Sequence, residues 1–517
     1  MRKGFLGALA VLAAGAGLAV GQPYYPPGPG GPPPGPLPGT LPPPGQIVGN
    51  PPPGVAPGAY SGPSGANSGY EYATPDGHPV IMPPGLEGMV PPGAMGAGAP
   101  GGAYGDGDGA FGSGKGVLNG AGLFGHHFWF GAEYLLWVPK SMDVNYPFAT
   151  TSAPADLGIL GRSTTAALVG ADRNITFDSA NGFRAWAGMS WDESGTMGGE
   201  IGGFWLAKRS GTTNLPGNGG GLPVLAVPFF DVNSGAQGSY VVSFPGINAG
   251  SIKLDTQTRA LGAEANAVFG LYQGTDQPGG ISFLAGLRFW QLKEQFGLVT
   301  DSTTFGVPPG GVVPPGTLPP PAFGASFFPG AGGVFAGTFF GPALAPYQVV
   351  TADIVQTRND FFGGQVGFRG DIGFGNWFLN LTGKLAAGCM RERVDVTGYS
   401  TLTTSTGLVS TQPGGLFDIA QDLGRHHKDR FAVLPEGGVS LGYQPCSWLR
   451  LSAGYTFLWT NTVIRPTNVI SPYVNPNLVP VSPLFNGSFP SAFIRQNVTS
   501  DSDYHLHGFN AGVEIRF

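Results

Sequence analysis

From Phe128 onward the chain alternates apolar with small or polar side chains at a period of two, and it does so in ten separate runs. That period puts successive side chains on opposite faces of an extended strand and excludes a helical reading, whose apolar positions recur every three to four residues. In the first run Phe128, Phe130, Ala132, Tyr134, Leu136 and Val138 share one face, while Trp129, Gly131, Glu133, Leu135 and Trp137 share the other. The same signal predicts strands over Gly182–Trp191, Met197–Ala207, Leu254–Leu271, Ile281–Leu298, Asp360–Ile372, Trp377–Val396, Phe431–Tyr443, Trp448–Thr460 and His507–Phe517.

The connections between these strands alternate long and short. The long ones are 139–181, 208–253, 299–359, 398–430 and 461–506; the short ones are Asp192–Thr196, Tyr272–Gly280, Gly373–Asn376 and Gln444–Ser447. Tight turns at one end and long loops at the other are the signature of an up-and-down antiparallel barrel crossing a bacterial outer membrane. A soluble sandwich would turn one polar face of each strand to bulk water. Here one face is Leu, Ala, Val and aromatic, and the other is Gly-rich with isolated charges. The fold class expected is all-β, a transmembrane β-barrel of about ten strands over residues 121–517.

Composition enters at the N-terminus. Arg2 and Lys3 precede an apolar run to Val20, and Ala19-Val20-Gly21 has the small-x-small form of a cleavage site, so residues 1–21 are read as a secretory signal peptide. Residues 22–120 hold 27 Gly and 24 Pro and little to bury, and are read as a disordered Pro/Gly leader. The expected location is the bacterial outer membrane, with the leader on the periplasmic side, where it would meet peptidoglycan or a periplasmic partner. Net charge is −6 and no basic run is visible, which argues against nucleic acid.

The last strand alternates Phe509, Ala511, Val513, Ile515 and Phe517 with polar or small residues. An alternating strand ending in Phe is similar to the signal read by barrel-assembly machinery. Phe130–Trp137 (FGAEYLLW), Pro228–Val232 (PFFDV), Gly424–Tyr443 (GRHHKDRFAVLPEGGVSLGY), Gly454–Pro466 (GYTFLWTNTVIRP) and Val474-Asn475-Pro476 resemble the planctomycete outer-membrane beta-barrel family numbered seventh in its series. The resemblance implies an outer-membrane barrel over about Phe128–Phe517 and supplies no catalytic residues.

With the Gly-bearing face turned inward, each strand brings one charge to the lumen: Glu133, Arg184, Glu200, Glu264, Arg288, Arg369, Lys384, Glu436, Arg450 and Glu514. Isolated charges in a narrow low-dielectric bore are costly, so these are expected to pair and largely fill it. If the Tyr272–Gly280 turn centres on Asp276, Glu264 faces Arg288; if Phe374-Gly375 is a two-residue turn, Gln365 faces Lys384 and Arg369 faces Asn380. A structural or permeation role follows, with surface adhesion through the long outer loops as the alternative. A rim hydrolase would draw on His426, His427 and Asp429, or on Asp501, Asp503, His505 and His507, but these have no defined catalytic spacing. No cofactor is expected: Gly109–Lys115 only partly matches a phosphate loop, and Asp106 and Asp108 a calcium loop no better. Cys389 and Cys446 are expected as free thiols, set far apart.

Overall fold

The computed structural model describes residues 128–170, 174–192, 196–273, 279–305, 326–327, 334–335, 338–339, 346–486 and 501–517. The signal peptide, the Pro/Gly leader and the turn at Asp276 lie outside the described residues.

Ten strands form the wall: β1 (Phe128–Pro139), β2 (Ala180–Ser190), β3 (Met197–Leu206), β4 (Asn248–Gln273), β5 (Gly279–Thr304), β6 (Tyr347–Phe374), β7 (Trp377–Thr404), β8 (Gly424–Cys446), β9 (Leu449–Ile464) and β10 (Asp501–Arg516). Each pairs antiparallel with the next in sequence, and β10 pairs with β1, so the ten close into a ring. Two further strands, Arg209–Pro216 and Val409–Pro413, extend the same sheet beyond the ring by pairing with β4 and β7. The register fixes the stagger. From Gly279 of β5, cross-strand partners run through Ile372, Leu379, Leu441, Ala453, Ala511, Tyr134, Phe183, Trp205 and Leu261 and return to β5 at Gln291, 12 positions beyond the start. With strands ~4.8 Å apart and ~3.3 Å per residue, that stagger tilts the strands by about 40° from the barrel axis.

The outer face carries an apolar belt. On β7 the outward residues from Trp377 to Cys389 are Trp, Leu, Leu, Gly, Leu, Ala and Cys, followed by Arg391 and Arg393; on β6 the outward row from Phe374 to Phe362 gives way to Asp360 and Arg358. The run from Trp377 to Cys389 covers about 30 Å along the axis at this tilt, the thickness of a bilayer core. Trp377, Phe368, Phe362, Phe431 and Phe509 are each more than half exposed on this belt, as lipid contact requires.

Glycine sits on both faces, not only the inner one. The inward glycines lie opposite large rings: Gly131 opposite Trp186, Gly188 opposite Trp129, Gly262 opposite Phe204 and Gly442 opposite Phe378. A Cβ at these four glycines would lie 2.0, 2.2, 2.4 and 2.1 Å from the facing ring, so the hydrogen side chain is what seats each aromatic against the wall. Gly364, Gly370, Gly383 and Gly437 face the belt side and would meet nothing.

The segments expected as outer loops contain much strand, most of all 208–253 and 398–430. β4 and β5 run 26 residues each and β6 and β7 run 28, well past the belt. Above the belt their inward faces mix apolar residues such as Phe296, Leu298, Val355 and Val394 with buried polar ones such as Thr300, Asp353 and Thr357. Their outward faces lose the continuous apolar row, and that loss is what made them read as loops. Inside this raised collar lies a second sheet of five strands, Ala149–Ser152, Ala166–Val169, Val224–Asp231, Ala236–Ser243 and Tyr473–Val474. Phe229, Tyr240 and Val242 of that sheet, with adjacent Phe148, bury against Phe296, Leu298, Val349 and Val355 of the wall; the Phe148 and Phe296 rings are 4.7 Å apart. The chain therefore folds a compact head onto the long-loop end of the barrel.

One expected register is displaced. Arg288 does face Glu264. At the β6–β7 turn, however, Phe374 pairs with Trp377, so Gly375-Asn376 are the two turn residues. Gly375 has φ +61°, the left-handed conformation favoured by glycine at the first central position of a tight hairpin. The ladder is shifted accordingly: Gln365 faces Ala386, Lys384 faces Gly367, Arg369 faces Thr382, and Asn380 faces Asp371.

Candidate functional site in the lumen

All ten of the lumen charges named from the sequence line one cavity of about 520 Å³. It reaches the turn end of the barrel, where Phe128, Arg516 and Phe517 also border it. Six of the ten form a continuous chain of ion pairs. Glu133 lies 3.6 Å from Arg184, which lies 3.3 Å from Glu436; Arg288 bridges Glu436 and Glu264, and Lys384 closes on Glu264. The Arg288 Nη1 to Glu264 Oε2 distance is 2.6 Å. Gln365 donates to both Glu264 (3.1 Å) and Asn266 (2.8 Å), so neutral amides complete the network. Nearer the turn end, Arg369 makes a bidentate pair with Glu200 (2.7 and 2.9 Å), and the Trp129 indole also donates to Glu200.

Two of the ten depart from the expected pairing. Arg450 faces Glu514 in register but, among the described residues, has no carboxylate at ion-pair distance. Its guanidinium stacks over Phe378 at 4.6 Å and its Nε donates to Gln444. Glu514 instead accepts from Arg516 at 2.6 Å and from the Trp186 indole at 3.3 Å. A cation over a ring is an alternative to an ion pair in a half-dry site.

Above this charged layer, toward the head, the bore is filled by an apolar layer not foreseen from the sequence. Leu135, Trp137, Ala180, Phe204, Ala260, Trp290, Phe361, Met390, Leu434, Leu458 and Tyr504 are buried together, and every one of the ten strands contributes. The Trp290 and Tyr504 rings pack tilted with centroids 5.9 Å apart, and those of Trp137 and Phe204 5.2 Å apart. The layer is bracketed by cations: Arg184 lies over Trp137 at 5.2 Å from the charged side, and Arg465 over Tyr504 at 5.3 Å from the head side. Arg465 makes a buried bidentate pair with Glu294 and also donates to the carbonyls of Lys140 and Ser141. The signal was present in the parity: one or two steps outward from Glu133, Arg288 and Glu436, the next inward residues are Leu135 and Trp137, Trp290 and Leu292, and Leu434.

The residues weighed for rim catalysis are not brought together. His426 turns inward and bonds the Asp422 carbonyl, whereas Asp429 is outward and paired with Arg391. His505 and His507 face out, stacked 5.6 Å apart, with the Tyr455 hydroxyl 2.6 Å from His507 Nδ1. Asp503 is held by Lys140, and Asp501 pairs in the ladder with Ile464. Leu506 registers through Leu458 with Glu436, nine positions from His427, so the two histidine groups are separated by about 30 Å of strand. Among the described residues no three potential ligands cluster in a way that could hold a metal ion. Cys389 and Cys446 are both free.

Comparison with solved structures gives distant likenesses. The chain is similar to the outer membrane protease OmpT from Escherichia coli at 9% identity and TM-score 0.32, covering 76% of this chain and 97% of that one. It is similar to the TodX deltaS2S3 mutant, a monoaromatic hydrocarbon channel, at 11% identity and TM-score 0.18, with 76% and 90% covered, and to the P. putida toluene transporter TodX at 9% and 0.14, with 76% and 89% covered. Likenesses this low transfer no chemistry. No curated protein sequence matches the chain. The family model described as beta barrel porin-7 (BBP7) matches residues 129–317 and 342–517, nearly the whole barrel region. With ten strands closed around a charged lumen and that match over most of its length, the chain belongs to the beta barrel porin-7 family.

Proposed function

We propose that this protein is a sealed outer-membrane barrel that anchors a folded surface head, and that its role is structural rather than diffusive or catalytic. One observation carries the reading: the apolar layer to which all ten strands contribute, with the Arg465–Glu294 pair and the head stacked above it. A hydrated solute has no path through a bore filled by buried Trp, Phe, Leu and Met side chains, and a bare ion would lose its hydration there with no compensating ligand. The charged cavity below is then a periplasm-facing cup whose ion pairs hold the wall together. Lipid surrounds the belt, the strand bearing Phe509, Val513, Ile515 and Phe517 is what barrel-assembly machinery engages, and the Pro/Gly leader extends into the periplasm toward peptidoglycan or another wall component.

The test is conductance. Full-length protein, shown folded by heat-modifiable gel mobility, is reconstituted into planar bilayers and sugar-loaded liposomes. The expected result is no stable channel and no size-dependent swelling. Steady single-channel steps from the wild-type protein would reject the sealed reading in favour of a selective pore.

A further inference from the structure

Just beyond the apolar belt, five basic residues from five consecutive strands stand side by side. Arg259 of β4 is the register partner of Lys293 of β5, Lys293 of Arg358 of β6, Arg358 of Arg393 of β7, and Arg393 of His427 of β8. All five have the outward parity of the belt below them; Arg259, Lys293 and His427 are exposed, and the Arg259 guanidinium lies over the belt residue Trp205 at 5.8 Å. Like charges directly opposite on adjacent strands repel, so a wall built for stability alone would not place four permanent cations in one row.

Neighbouring acids do not cancel the row. Of the outward residues in the row toward the belt, Asp360 pairs with Arg358, and Asp429 pairs with Arg391. In the row toward the head, Asp395 pairs with Arg425. Among the described residues, neither Lys293 nor Arg393 has a carboxylate within ion-pair distance. Across these three rows six Arg and Lys face three Asp, on a chain whose net charge is −6. The row follows the strand tilt: four inter-strand steps make it about 19 Å long, and it climbs about 13 Å away from the belt. Its lower end therefore lies where hydrocarbon meets headgroups, and its upper end stands in the polar layer above.

We propose that this stripe binds the phosphate groups of outer-leaflet lipid headgroups. Guanidinium and ammonium groups spaced by ~5 Å along a tilted line match phosphate oxygens in charge and in hydrogen-bond donors. The apolar belt beneath, with Leu261, Phe289 and Phe362, takes the acyl chains of the same molecules. Bound phosphate also removes the repulsion that the bare row carries. The inference rests on the membrane-barrel fold and not on whether the lumen conducts.

The test uses full-length protein in neutral detergent, with dioleoyl phosphatidic acid as probe, dioleoyl phosphatidylcholine and inorganic phosphate as controls, and bound lipid read by native mass spectrometry. Wild type is expected to retain phosphatidic acid over phosphatidylcholine, less so as salt rises. Lys293→Gln with Arg393→Gln is expected to weaken that retention about 30-fold, as removal of two surface cations near an anionic headgroup predicts. Asp395→Asn, which removes a competing acid, is expected to strengthen it. Heat-modifiable mobility confirms that each variant is folded. Equal retention of the two lipids, unchanged retention in the double variant, or full displacement by inorganic phosphate would overturn the proposal.

Discussion

Arg465 and Glu294 meet in a buried two-bond pair, Nη2 to Oε1 at 2.7 Å and Nε to Oε2 at 2.9 Å, with both side chains essentially inaccessible. Arg465 follows the last residue of β9 and Glu294 lies on β5, so the contact is a strut across the barrel above the apolar layer. Such a pair contributes little net stability relative to apolar residues of the same shape, but halving it leaves a buried charge alone. Glu294→Ala is expected to lower unfolding stability by about 3–5 kcal/mol, read as the shift in urea midpoint of the folded gel band. The double change Glu294→Leu with Arg465→Met should recover most of that loss; a double variant as weak as the single one would count against this account.

The seal is open to direct test. Trp290→Ala with Tyr504→Ala removes two packed rings from the middle of the apolar layer. The double variant is expected to conduct where wild type does not. Arg450→Ala, a change in the cup beneath the layer, should leave the barrel closed.

Position in the charge network should decide cost. Arg288 is 3% exposed between Glu264 and Glu436, so Arg288→Met strands two carboxylates and is expected to cost about 3–5 kcal/mol. Lys253 and Asp255 also form a close pair, at 2.7 Å, but Lys253 is 49% exposed. Lys253→Met is therefore expected to cost less than about 1 kcal/mol. Comparable urea midpoints for the two variants would contradict the burial argument.

The glycine–aromatic pairs make a similar contrast. Gly188→Leu would drive a side chain into the Trp129 ring, and the expected outcome is loss of the heat-modifiable folded form. Gly437→Ala, on the belt face with nothing near its Cβ, should fold normally.

In the head, outside the membrane belt, Asp353 is buried and accepts backbone N–H bonds from Leu416, Phe417 and Asp418. Burial pushes the Asp353 carboxyl above the usual aspartate range, and those three donors only partly offset it. Asp418 is buried beside it with one carboxylate oxygen unpartnered, and burial, then Asp353 and Asp422, push its carboxyl well above the usual aspartate range. The folded value exceeds the unfolded one, so the stability this proton contributes is full below about pH 4 and fades as pH rises through the folded value. Thermal stability of the head should fall over that window. Asp418→Asn should shrink the fall and raise stability at neutral pH; an unchanged pH profile would show that Asp418 does not carry the proton.

Period-two alternation from Phe128 onward was enough to define ten strands, their inward faces and the closed antiparallel order, because side-chain direction in a strand is local and repeats every two residues. The ten lumen charges were legible for the same reason: parity alone places Glu133, Arg288 and Glu436 inside. The β6–β7 register was displaced by two because it depends on which residues take the turn, and Gly375 rather than Phe374 takes the left-handed position. What only the tertiary structure decided depends on stagger between strands far apart in sequence. A shift of 12 positions around the ring stacks the inward residues outside the charges into a seal, and brings Arg465 to Glu294. It also lines up Arg259, Lys293, Arg358, Arg393 and His427, which lie 34, 65, 35 and 34 positions apart along the chain and show no basic run in the sequence. Parity tells each side chain which face it takes; only the closed register tells it which neighbours it meets there.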